Sequence, residues 1–108
     1  MPPTQPVGEV DVRAAADLVA AGAPLIDVRE PDEFEEVRAV GATLVPLGQV
    51  PDRLAEIPTT GPVYLICKSG GRSLRAAEFL VANGVEAVNV AGGTTAWVEA
   101  GLPVERGQ

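Results

Sequence analysis

The residues best suited to chemistry in this chain of 108 residues lie together, as Cys67-Lys68-Ser69-Gly70-Gly71-Arg72-Ser73. Cys67 is the sole cysteine, and there is no histidine. It follows the apolar run Val63-Tyr64-Leu65-Ile66 and precedes a helix-like stretch, so the order is strand, glycine loop, helix. That order builds an anion site. Gly70 and Gly71 can take positive φ and turn consecutive backbone N–H groups inward, and the helix start adds about half a positive charge. Lys68, Arg72 and Arg75 place three of the eight cations in this short stretch, with no acid among them. Dipoles and cations of this kind lower a cysteine pKa and favour the nucleophilic thiolate, so no histidine base is required. The predicted chemistry is attack by Cys67 on an electrophilic centre of an anionic substrate, through a covalent intermediate. The plain alternative is a small buried hydrophobe ahead of a turn. The coincidence of glycines, cations and a helix start favours the reactive reading.

The elements that must hold this loop are readable from periodicity. Besides Val63–Ile66, short apolar runs occur at Leu25–Val28, Thr43–Val45 and Ala87–Val90. Val63–Ile66 is apolar on both faces, as in a central strand of a parallel sheet. Helices are predicted from an Asp11 cap to Ala21, over Asp32–Val37 as one short turn, and over Val50–Ile57, stopped by Pro58. A further helix is predicted over Ser73–Asn83, with Leu74, Ala77, Leu80 and Val81 along one stripe and Gly84 beyond its end. A last one spans Thr95–Ala100. Strands alternating with helices imply an α/β fold with a mostly parallel sheet. Ligands of such sheets bind at the carboxyl ends of strands, which directs attention to Asp27–Glu30, Cys67 onward and Ala91–Thr94.

Composition bounds the rest. The net charge is −7 and the pI near 4.4, which argues against nucleic acid held on a basic face. The longest apolar-or-small run, Leu18–Ile26, falls well short of the ~20 residues needed to span a bilayer. Residues 1–6 hold three prolines and neither a basic nor an apolar signal region, and are read as a flexible lead-in to one domain over 7–108. A single uncapped thiol is kept reduced most easily in a cytosol, so a cytoplasmic location is expected.

The sequence resembles the rhodanese-homology domain, a small sulfurtransferase module, from about Val7 to Val104. Leu25-Ile26-Asp27-Val28-Arg29-Glu30 with Glu33-Phe34 is similar to the first signature of that family, and Gly41-Ala42 with Val45-Pro46-Leu47 to the next. Cys67 to Ser73 resembles the stretch of its six-residue active-site loop, which runs from the cysteine to the arginine. Gly92-Gly93, Trp97 and Gly101-Leu102-Pro103-Val104 resemble its C-terminal signature. The resemblance implies a compact α/β domain with a mostly parallel central sheet flanked by helices, and Cys67 as sulfur carrier. Thiosulfate or a similar donor would give a sulfur to Cys67, and the persulfide would pass it to cyanide or a thiol, including a protein acceptor. Lys68, Ser69, Gly70, Gly71, Arg72 and Ser73 would cradle the anionic donor. No cofactor or metal is implied. The family often has a histidine before Gly41-Ala42, where this chain has Glu36-Val37-Arg38-Ala39-Val40.

Other residues carry plainer readings. Asp27 and Arg29 end a strand beside the site and either orient the loop through Arg72 or bond to each other. Arg72 itself either contacts substrate or braces the loop against a carboxylate. Trp97 reads as core, and the five acids from Glu30 to Glu36 as a solvated face, not a metal cage. Two other functions compete with sulfur transfer. Cysteine phosphatases and arsenate reductases place five residues between cysteine and arginine, whereas four intervene here, Lys68 to Gly71. A non-enzymatic interaction or sulfur-delivery module uses the same fold.

Overall fold

The structure, a computed structural model, describes residues 7–107; the lead-in read at residues 1–6 lies outside them. A five-stranded parallel sheet runs in the order β1 (Gly8–Val10), β6 (Ala87–Val90), β5 (Val63–Ile66), β2 (Leu25–Asp27), β4 (Ala42–Leu44). All four pairings are parallel. The fold class is therefore α/β, as the alternation of strands and helices implied.

Both faces of the sheet are covered, which is why β5 is buried at every residue. Ile26 and Leu65 face a core completed by Ala76, Ala77 and Leu80 of α3 (Gly71–Ala82), with Val50 and Ile57. Leu25, Tyr64 and Ile66 face the opposite core, built on Val12 and Ala15 of α1 (Val12–Ala20) and Trp97 of α4 (Gly93–Glu99). Trp97 is buried and donates its ring N–H to the carbonyl of Pro103 at 2.8 Å. α1 begins where the Asp11 carboxylate accepts from the Ala14 N–H at 2.8 Å, an N-cap contact.

Four details depart from the sequence reading. The predicted helix over 50–57 is absent; one 3-10 turn, Leu47–Gln49, precedes the segment and another, Leu54–Glu56, lies inside it. Pro58 holds Ile57 extended at ψ 126; with Pro51 at the other end, too few residues remain to repay helix nucleation. The buried stripe of α3 is Ser73, Ala76, Ala77 and Leu80, while Leu74 is exposed. α3 also starts at Gly71, earlier than the predicted Ser73. Finally, β3 (Arg38–Ala39) and β7 (Val104–Glu105) pair antiparallel in a separate ribbon. The short α2 (Pro31–Glu36) links β2 to that ribbon.

Candidate active site

β5 delivers Cys67 to the carboxyl edge of the sheet, and the loop turns at once into α3. Gly70 makes the turn with φ +112, a conformation rarely open to residues with a Cβ. The turn brings the Gly70 N–H to 3.1 Å from the Cys67 sulfur. The Ser73 hydroxyl lies 3.3 Å from the same atom. Burial is the largest influence on the thiol and pushes its pKa up. The Ser73 hydroxyl and the N–H groups of Ser73, Gly70 and Ser69 pull it down, and the net displacement is below the ordinary thiol value. Donors to sulfur favour the thiolate, the form that attacks.

The start of α4 holds the loop from below. Thr94 donates to the Cys67 carbonyl through its N–H at 2.8 Å and its hydroxyl at 3.0 Å, and the Thr95 N–H reaches the Lys68 carbonyl at 3.0 Å. This approach requires glycine at position 93. A Cβ there would come within 2.5 Å of the Cys67 carbonyl and 2.6 Å of the Lys68 carbonyl, and φ is +58.

The structure separates the roles of the charged residues. Asp27 and Arg29 are both buried and pair with each other, Nη2 to Oδ2 at 2.8 Å and Nε to Oδ1 at 3.0 Å. Arg29 also donates to the carbonyls of Val37 at 2.7 Å and Glu33 at 3.3 Å. A buried pair with its remaining donors satisfied fixes geometry more than it adds stability; here it fixes α2 against the end of β2. α2 in turn presents Glu33, which accepts two hydrogen bonds from Arg72 at 2.8 and 2.9 Å. Arg72 beside it holds the Glu33 carboxyl at about 2, down from 4.5, against the opposing effect of burial. The same contact raises the Arg72 pKa. Glu33 is therefore not part of a solvated acidic face, as the run from Glu30 to Glu36 implied.

Lys68 and Ser69 are exposed at the rim, and Gly71 opens α3. A cleft of about 420 Å³ opens beside Lys68, walled by Arg29, Thr94, Thr95, Val98 and Arg106 among others. Sequence reasoning singled out neither Arg106 nor Asn89, whose Oδ1 accepts from the Ser73 hydroxyl at 2.6 Å. Arg106 follows a two-residue strand with no periodic signal, and Asn89 reads only as a polar residue inside an apolar strand.

Comparison with known proteins decides the family. The model of the Rhodanese-like domain matches residues 11–100. The chain belongs to the rhodanese family. The chain is 34% identical over 101 residues to a protein of Allochromatium vinosum named "Sulfurtransferase", covering 91% of this chain and 94% of the relative. It is 50% identical over 76 residues to "Uncharacterized protein YqhL" of Bacillus subtilis (strain 168), covering 69% of this chain and 60% of that one. A solved rhodanese-related protein from Thermoplasma volcanium superposes with a TM-score of 0.85 at 28% identity, covering 91% of this chain and 97% of that chain. Among the described residues, no helix is long and apolar enough to cross a membrane.

Proposed function

We propose that this rhodanese is a sulfurtransferase that carries a sulfane sulfur on Cys67. The observation that carries the reading is the Cys67 sulfur seated 3.1 Å from the Gly70 N–H at the start of α3. The thiolate attacks the outer sulfur of thiosulfate, or of a similar anionic donor. A new S–S bond forms to Cys67, the bond within the donor breaks, and sulfite leaves with its electron pair. Cyanide or a thiol, free or on a protein, then attacks the outer sulfur of the persulfide. Thiocyanate or a new persulfide departs, and the electron pair returns to Cys67 as thiolate.

The remaining residues support that cycle. The loop N–H groups hold the sulfur's negative charge in the thiolate and in the persulfide, the electrostatic device of an oxyanion site. Lys68, exposed beside the nucleophile, draws the sulfonate end of the donor. Arg72 is held by Glu33 and braces the loop. A buried cysteine with no partner cysteine suits a reducing cytoplasm. Thiocyanate formation from thiosulfate and cyanide tests the reading: the wild type turns over, and Cys67→Ser, folded by circular dichroism, does not. Turnover by Cys67→Ser at the wild-type rate would refute it.

A further inference from the structure

Ser73 carries one hydroxyl proton and has three acceptors around it: Asn89 Oδ1 at 2.6 Å, the Gly70 carbonyl at 3.2 Å and the Cys67 sulfur at 3.3 Å. A hydroxyl donates once, so the three contacts compete for one proton. The competition is settled beyond Ser73. Asn89 is buried on β6, and its Nδ2 donates to Oε2 of Glu9 on β1 at 3.2 Å. A carboxylate only accepts, so Glu9 orients the amide with its NH2 outward and its Oδ1 toward Ser73. That oxygen also only accepts, and at 2.6 Å it has the shortest claim on the Ser73 proton.

We propose that Glu9 and Asn89 are positioning residues for Cys67: they draw the Ser73 proton toward Asn89 Oδ1 and so weaken the donation of the Ser73 hydroxyl to the sulfur. When the amide is not held, Ser73 turns its proton onto the sulfur and stabilises the thiolate. The Gly70 N–H has no such freedom, because the backbone fixes its direction. Ser73 is thus the adjustable donor of the cradle, and an exposed carboxylate on the edge strand β1 sets it.

The other charged groups near the sulfur stand outside this chain of contacts. Arg72, whose charge is felt at Cys67, is held by Glu33 of α2. Asp27 is held by Arg29 at the end of β2. Lys68 on the loop and Arg75 and Glu78 on α3 are exposed. β5 and β6 contain no charged residue, and α4 contains only Glu99, at its far end.

The catalytic consequence rests on the sulfur-transfer reading, but the test reads the resting thiol without any donor, so the two fail separately. With a single cysteine in the chain, the thiolate absorbance near 240 nm can be followed against pH in the full protein. Glu9→Ala is expected to lower the midpoint by roughly half to one pH unit, the range of one hydrogen bond gained by the charged form. In a Ser73→Ala background the same substitution is expected to leave the midpoint unmoved. A midpoint unchanged in the Glu9→Ala single variant would overturn the proposal. So would an equal shift in both backgrounds, which is the signature of a charge acting through space. If Ser73→Ala does not fold, Glu9→Gln is titrated instead, since its amide oxygen still accepts from Asn89 Nδ2 while the charge is gone. A midpoint that stays at the wild-type value supports the relay, and one lowered as in Glu9→Ala contradicts it.

Discussion

Arg72 and Glu33 face each other through two parallel hydrogen bonds of 2.8 and 2.9 Å, joining the first turn of α3 to α2 across the mouth of the loop. The fork of a guanidinium matches a carboxylate in this way, and lysine has no equivalent geometry. Two of the five N–H donors of the Arg72 guanidinium are thereby engaged by protein.

The pair has a signed pH dependence. The Glu33 carboxyl sits at about 2, below its usual 4.5. A depressed carboxyl adds stability that is complete above the unfolded value and is lost as pH falls through the folded one. The contribution is thus full at neutral pH, declines below about pH 4.5 and is lost as pH falls through about 2. Both side chains are partly exposed, at 36% and 27%, so solvent screening limits the pair to about 1 kcal/mol. Glu33→Gln is expected to lower stability by that amount at pH 7, with wild type and variant converging toward pH 2. Urea titrations at a series of pH values check both the size and the sign. A difference constant down to pH 2 would contradict the assignment.

Gly93 offers a second test, because its need for glycine is steric and conformational together. The added Cβ of Gly93→Ala meets two loop carbonyls at 2.5 and 2.6 Å, with φ at +58. The expected cost is about 2–4 kcal/mol, combining left-handed strain with displacement of packed backbone. Thermal unfolding measures that cost. Thiosulfate turnover of the protein that remains folded is expected to fall as well, because the carbonyls displaced belong to Cys67 and Lys68.

Lys68 is expected to act on binding of the anionic donor more than on the chemical step. Lys68→Ala should raise the KM for thiosulfate by roughly fivefold, the value of one exposed charge contact, with kcat changed less. The effect should shrink with rising salt. An unchanged KM at low salt would remove Lys68 from the donor site.

Much of this arrangement was legible in the residues themselves. β2, β5 and β6 announce themselves as buried apolar runs, and α1 by its Asp11 cap and Gly22 stop. The loop was readable because chemistry concentrates there in consecutive residues. The β3–β7 ribbon was not, since two-residue strands carry no period. The segment over 50–57 kept its apolar anchors, Val50 and Ile57, but not its helix, because two prolines left it too short. Glu33 and Asn89 were missed for a common reason. Their partners lie 39 and 16 residues away, and the acceptor of a distant donor leaves no mark in local sequence. The family resemblance placed Glu33 inside a signature without saying what it touches.

The most direct test of sulfur carriage on Cys67 is the intact mass of the protein after incubation with thiosulfate, before and after cyanide. The account predicts a gain of one sulfur atom, removed by cyanide and never acquired by Cys67→Ser. A wild-type protein that gains no mass, or a Cys67→Ser variant that gains the same sulfur, would contradict it.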